Sequence, residues 1–533
     1  MRNGNREGGT LLSGVLVLSG ASLTVKIIGL LFKIPLSHLL GDEGMGYFNS
    51  AYTIYSWLYV IATAGLPIAV SILIARAEER KDREEIATIL RSAMITLSLI
   101  GALGSVAMLS LSMPLSHMIG SPGSRAAIVA IAPTLLLGSI SGGIRGYFQG
   151  KRNMIPTATS QLLEALGKLI LGILFGLYAS RREMPTTAVA AYAIFGVTLG
   201  AVAGTTYLII RILCEKRTAG FVGVRIYRER EVRTFRSLIR LAFPITLSAS
   251  VTSMTSLIDL ACIMNLLPKA GYSEQQATAL FGNYSTLVVP ISHAPAILIA
   301  PISSSLIPYL SAELEKGNRE RAARLSETTL RFVSLLTLPA MLYLGMFGKR
   351  ILSLVFSESS ATVAAPVLAV LSPSVFFFGL MSVTNAILES GGHCYITLRS
   401  MIVGAVVKTF CAVALIGHPG YGIAGAAIGS VACYAISSLL NMLALHRSLG
   451  RMPSFTDFFV RPFCAASGSA LVAVILLKFL RIGLAGSALT LTSFFISGIV
   501  YLVLLPLFRG ISFEDLAHLP LFSKRMGSSR KKD

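Results

Sequence analysis

Glu164 and Lys168 stand four residues apart inside an apolar run, SQLLEALGKLILGILFGL, that is otherwise long enough to cross a membrane. At that spacing both side chains share one helix face, where a carboxylate and an ammonium can pair. Ionisable groups at membrane depth are costly and normally face a protein interior or a wet cavity. The two are therefore read either as a structural ion pair or as substrate or gating groups. Arg145 opens the same stretch, RGYFQGKRNMIP, with Lys151 and Arg152 close behind. These cations are either ordinary positive charge of a cytoplasmic loop or a basic entrance that gathers phosphorylated head groups.

Lys26 and Lys33 lie in an earlier run, ASLTVKIIGLLFKIPLSHLLG. Seven residues is close to two helical turns, so both project to one face about 10 Å apart. Two cations along one wall suit an anionic group such as a diphosphate; the alternative is snorkelling to the interfaces. A weaker echo of the Arg145 stretch, NAILESGGHCYITLRSMIVGAVVKTFCAVAL, carries one lysine, Lys408, in its apolar helix. Two related halves facing each other would set these lysines on opposite sides of a central space. Asp259, in SLIDLACIMNLL, is a cation or proton site or the partner of a lysine on another helix. Asn283, Pro290 and His293, followed by Pro295, Pro301 and Pro308, mark a kinked, cavity-lining or hinge helix.

These groups must be positioned by membrane helices. The 533 residues are 54% hydrophobic and 13% charged, half the charge of an average soluble protein, about 25%. Apolar runs of 18 residues or more recur to the end, which predicts an all-α polytopic membrane protein and closes the strand option. We count fourteen spans, from 10–40 and 47–75, through an eighth at 277–311, to 460–480 and 484–508. The first is a retained helix, since no small-residue cleavage site follows it. With both termini cytoplasmic, 34 of the 46 lysines and arginines fall in or beside inner loops and tails, against 8 outside. The other four are Lys26, Lys33, Lys168 and Lys408, so the bias sets the orientation.

The net charge of +21 therefore reflects topology, not nucleic acid. The segment Arg211–Arg240 holds nine lysines and arginines and divides twelve helices into two sets of six. It reads as an orientation signal and amphipathic linker at the anionic inner leaflet. Six dispersed cysteines with no CxxC are expected to be small buried side chains, with no metal site. Walker-A, HExxH and GxSxG patterns are missing, so neither an ATPase nor another enzyme is expected.

The segment GDEGMGYFNSAYTIYSWLYVIATAGLPIAVSILIARA (41–77), followed by RGYFQGKRNMIPTATSQLLEALGK, resembles the stage V sporulation protein B family over nearly the whole chain. That family sits in the polysaccharide-biosynthesis branch of the multidrug/oligosaccharidyl-lipid/polysaccharide exporter superfamily, close to the MurJ lipid II flippases. The resemblance implies a V of two six-helix lobes, residues 1–213 and 236–447, joined by a cytoplasmic basic linker, 214–235. It also implies two further helices within 448–510 that form a lipid groove, and a basic tail at 511–533. Lys26 fits the place of a cavity-facing basic residue in the first helix of those flippases. Their eighth-helix arginine has no counterpart here, where the stretch reads FGNYSTLVVP.

The expected function is a flippase in the bacterial cytoplasmic membrane, moving an undecaprenyl-diphosphate-linked cell-wall precursor, lipid II-like, outward by alternating access. It serves peptidoglycan or spore-cortex synthesis. The expected substrate contacts are Lys26, Lys33, Arg145, Glu164, Lys168 and Lys408, with Asp259 as the ion or proton site. No cofactor is expected; Na+ or H+ coupling is left open beside the membrane potential. A monomer is expected, with cell-wall synthesis enzymes as its candidate protein partners. Two other readings compete. A MATE-type drug or cation antiporter would want a carboxylate-rich cavity, whereas the first half offers Glu164 against three lysines. A non-transporting scaffold would make the in-span lysines dispensable.

Overall fold

A computed structural model describes residues 4–219, 228–296, 299, 310–311, 313–314, 316–418, 420–450, 454–479 and 486–508. Part of the basic linker, Pro301, Pro308 and the tail 511–533 lie outside these residues. Among the described residues the secondary structure is helical throughout. Of the described residues, eleven helices are long and apolar enough to cross a membrane, or twelve if the pair Glu358–Leu371 and Pro373–Ser390, bent by 51°, makes one span. This count does not confirm the expected fourteen. The span expected at 47–75 and most of the one at 10–40 fall in the single stretch Gly20–Glu79, and the one at 277–311 lies partly outside the described residues.

The chain forms two compact units, Met1–Thr286 and Leu287–Asp533. The first begins with α1 (Gly4–Thr63), α2 (Leu66–Glu79), α3 (Arg83–Ser110), α4 (Ser112–Met118) and α5 (Arg125–Ile131). It continues with α6 (Pro133–Gly150), α7 (Ile155–Arg181), α8 (Thr186–Ala219), α9 (Arg228–Leu266) and α10 (Glu274–Asn283). The long α1 breaks at Gly41, whose φ of 63° is a left-handed value that a side chain would resist. Ile74, Ile89, Leu97, Ile144, Leu208 and Leu238 pack together as a core from α2, α3, α6, α8 and α9. The outward faces carry large apolar side chains, such as Leu103 at 63% exposure, which is what contact with lipid tails requires.

Capping starts α10: the Gln276 N–H donates to Ser273 Oγ at 3.2 Å, and the Ser273 N–H donates to Gln276 Oε1 at 2.9 Å. This helix then lies against α1 just past the Gly41 break. A Cβ on Gly282 would meet the Asp42 carbonyl oxygen at 2.0 Å, and one on Gly46 would meet that of Thr278 at 2.1 Å. Side-chain bonds reinforce the contact: Asn283 Nδ2 donates to Asp42 Oδ2 at 3.1 Å and Asn49 Nδ2 to Thr286 Oγ1 at 2.7 Å. Beyond α10 the backbone widens into a π-helical turn, Tyr284–Val288, before the short helix Val289–His293 that contains Pro290. A proline without an N–H makes such an irregularity natural.

The seam that positions the cavity runs between α7 and α8. Gly196, Gly200 and Gly204 recur every four residues on α8 and meet Gly172, Gly167 and the Ser160 carbonyl on α7. A Cβ on Gly200 would lie 2.6 Å from the Lys168 nitrogen and 2.7 Å from the Glu164 oxygen of the main chain. Backbone atoms cannot swing aside, so only glycine permits this approach, the small-xxx-small packing of membrane helices. With α8 on that side, Gln161, Glu164 and Lys168 line the cavity on another face of α7.

In the second unit the helices Arg319–Ser353, Pro373–Ser390 and Ala424–Leu449 share a core that includes Leu330, Val333, Leu380, Val383 and Leu445. A satellite cluster joins Phe347 to Ala473, Leu477 and Leu489 on the last two described helices. Cys433 is buried here, but Cys214, Cys394 and Cys464 are exposed, which corrects the expectation of buried cysteines. A small apolar side chain is equally at home on a lipid-facing helix surface.

The seam makes a direct prediction. Gly200→Ala should force α7 and α8 apart and cost about 1–3 kcal/mol, the usual penalty of overpacking. Gly498→Ala, whose new Cβ meets nothing within 4 Å, should be neutral or slightly stabilising. Thermal unfolding in detergent measures both, and equal shifts would contradict this account of the seam.

Candidate functional site

A cavity of about 350 Å³ opens in the first unit between α1, α6, α7 and α8. Lys26, Arg145, Glu164 and Lys168 all line it, with Ser22, Phe32, Tyr52, Tyr55 and Gln161. Four of the expected site residues, distant in sequence, thus share one space. Lys26 reaches it from before the Gly41 break of α1, Arg145 from α6, and Glu164 and Lys168 from α7.

Arg145 is buried and held by two acceptors one turn apart on α7. Its Nε donates to Ser160 Oγ at 2.9 Å, and its Nη2 donates to Glu164 Oε2 at 2.8 Å. Ser160 in turn donates to the Thr157 carbonyl at 2.8 Å. Glu164 therefore pairs with Arg145, which corrects the expected pairing with Lys168. The physical reason is strength: an arginine–carboxylate bond from a rigid, always-charged fork outcompetes a flexible lysine on the same helix. Lys168 instead places its ammonium over two aromatic faces, 4.7 Å from the Tyr52 ring centre and 5.1 Å from that of Phe32. A ring face attracts a cation without neutralising it.

Lys33 is not among the lining residues. Its Nζ donates to the Ser285 carbonyl at 3.2 Å, within the π-helical turn after α10. The two lysines of α1 therefore part: Lys26 lines the cavity and Lys33 meets a main-chain carbonyl. Asp259 is buried on α9, with the Tyr284 hydroxyl 3.5 Å from its Oδ2. Asn283 is occupied by Asp42, as described above. In the second unit His293 stacks on Phe378, with ring centres 4.6 Å apart, and its ring centre lies 6.0 Å from that of Tyr434. Lys408 is buried at 2% exposure in the helix Cys394–Ile416, where Gly429 leaves room for its stem.

Below the cavity the loop cations are paired. Lys151 Nζ lies 2.6 Å from Glu215 Oε1, and Arg152 Nη2 lies 3.2 Å from Glu79 Oε1. Burial pulls the Lys151 pKa down, but the hydrogen bond it donates to Glu215 and the neighbouring Tyr147 more than offset this and hold it above its usual value.

An aromatic line went unassigned in the sequence. Phe48, Tyr52, Tyr55 and Tyr59 follow one another along α1 with ring centres 6.2, 5.8 and 5.6 Å apart. Their spacing of four, three and four residues is the signal of a single helix face. Tyr52 and Tyr55 reach the cavity.

Apolar helices crossing the bilayer around an internal charged cavity define a multi-pass membrane transporter rather than an enzyme. The chain belongs to the polysaccharide biosynthesis protein family, which it matches over residues 11–313, and residues 286–414 match the MatE family. It is 23% identical to stage V sporulation protein B of Bacillus subtilis (strain 168), over 97% of this chain and 98% of that one. Identity to the lipid II flippase MurJ of the same organism is 25%, over 83% of each chain. A solved structure of lipid II flippase MurJ in an inward closed conformation shares the fold, with a TM-score of 0.67 at 16% identity, covering 94% of this chain and 100% of that one. These likenesses place it in the multidrug/oligosaccharidyl-lipid/polysaccharide exporter superfamily.

The Arg145–Glu164 pair predicts an asymmetry. Glu164→Leu strands a guanidinium that cannot lose its proton in a nearly closed site. It should cost about 2–3 kcal/mol, less than the ~3–5 kcal/mol of a fully buried pair, because the Glu164 side chain is 35% exposed. The double variant Arg145→Leu/Glu164→Leu should recover most of that loss in thermal unfolding. A double variant less stable than Glu164→Leu would refute the desolvation argument.

Proposed function

We propose that the protein flips an undecaprenyl-diphosphate-linked cell-wall precursor, lipid II-like, from the inner to the outer leaflet. The observation that carries this reading is the charge of the cavity: three cations, Lys26, Arg145 and Lys168, against one carboxylate that Arg145 already occupies. Such a space suits a diphosphate. The relatives named above support a lipid-linked substrate, and the basic loops support cytoplasmic termini.

In this reading two six-helix lobes, residues 1–213 and 236–447, alternate access as repeat-built transporters do, while the isoprenoid tail stays in the bilayer along helices within 448–510. Lys26 and Lys168 take the diphosphate. Arg145 and Glu164 hold the wall between α6 and α7, and Lys408 is the candidate cation of the other lobe. An inside-negative potential favours outward movement of the dianion by about 2.3 kcal/mol per charge per 100 mV. Asp259, buried beside Tyr284, is the candidate for ion or proton coupling. A sporulation-specific role and association with synthesis enzymes extend the same proposal.

Translocation of lipid II in proteoliposomes tests it, with variants inserted at equal levels. Lys26→Ala and Lys168→Ala should each lower the rate at least tenfold. Wild-type transport with both variants fully active would remove the cationic cavity from the mechanism. A wild type that moves no undecaprenyl-diphosphate lipid under an imposed potential would leave the scaffold reading in front.

A further inference from the structure

The lipid-linked glycan reading accounts for the cations of the cavity but not for its tyrosines. Resting on that reading, we propose that Tyr52 and Tyr55 form a platform for the sugar ring attached directly to the diphosphate. A pyranose has a C–H face, which packs on an aromatic ring, and a rim of hydroxyls, which needs donors and acceptors. The cavity offers both. Tyr52 and Tyr55 present adjacent rings 5.8 Å apart and tilted by 54°, and the Gln161 amide stands on the α7 wall.

Two further observations point to a polar ligand at this place. Tyr55 is only 7% exposed, yet among the described residues its hydroxyl has no protein hydrogen-bond partner. The hydroxyl is not itself sealed in protein, so on a cavity-lining residue its partner comes from the cavity. Lys168 stands beside the platform, its ammonium 4.7 Å from the Tyr52 ring centre. An anomeric phosphate sits one bond from its sugar ring, so a ring on Tyr52 brings its phosphate within reach of Lys168. Size agrees as well. At about 350 Å³ the space lies near the lower end of ligand pockets, ~300–1,000 Å³, which suits one ring and its phosphates but not a long polymer.

The test uses the full-length protein in lipid nanodiscs and two probes: bare undecaprenyl diphosphate, and the same lipid carrying one N-acetylhexosamine. Ring stacking worth roughly 0.5–1.5 kcal/mol predicts that wild type prefers the sugar-bearing lipid by roughly two- to twelvefold. Tyr52→Leu should bring that ratio close to one, whereas Tyr52→Phe, which keeps the ring, should preserve it. Tyr55→Phe should lower it by the share of the hydroxyl. If Tyr52→Leu weakens both lipids equally, or if wild type binds both equally, the platform is overturned while the flippase reading stands. If wild type binds neither lipid, the flippase reading itself falls and the platform with it.

Discussion

A guanidinium that cannot be deprotonated has to be met by protein wherever an apolar helix bundle encloses it, and the first unit is arranged around meeting Arg145. Its two acceptors, Ser160 and Glu164, are one turn apart on α7, so a single helix face answers a single fork. That requirement fixes how α6 and α7 face each other. The carboxylate is consumed in doing so, and the cavity beside it keeps the charge of its other two cations. On the proposed reading, stability and ligand preference are two results of one ion pair.

The glycine seam serves the same arrangement from behind. The main chain of α8 rests on that of α7 at the residues that carry the site, since a Cβ on Gly200 would touch the backbone of both Glu164 and Lys168. A small displacement of α8 would therefore move both charged residues together. Membrane helices gain little from burying apolar surface against each other, because lipid is equally apolar. Close backbone approach is what remains to hold such a pair, which explains why glycine recurs every fourth residue in FGVTLGAVAG.

Much of this was legible in the sequence because it depends on local facts. Apolar run length marks the helices, and the cost of an intramembrane charge marks Lys26, Glu164 and Lys168 as cavity residues. Partner choice was not legible, since it depends on tertiary distance. Glu164 has a lysine four residues away, but it takes an arginine nineteen residues back on another helix. Lys33 shares a face with Lys26 by spacing, yet the π-helical turn after α10 offers it the Ser285 carbonyl. The aromatic line from Phe48 to Tyr59 had a readable period, but such a stripe is usually core, and only the cavity beside it gives Tyr52 and Tyr55 another meaning.

Lys168 shows why the pairing matters for transport. Had Glu164 bonded it, a diphosphate would have to break an ion pair on arrival, and release would restore it. Resting on Phe32 and Tyr52, the ammonium is held in place while its charge stays available. A cation–π contact worth about 0.5–2 kcal/mol is easily shared with an incoming anion. A transporter must let go of what it binds, and a cation steadied by rings can hold a phosphate without the deep well that a fully assembled, desolvated cluster would create. On the proposed reading the arginine serves architecture, and Lys26 and Lys168 are left for the ligand.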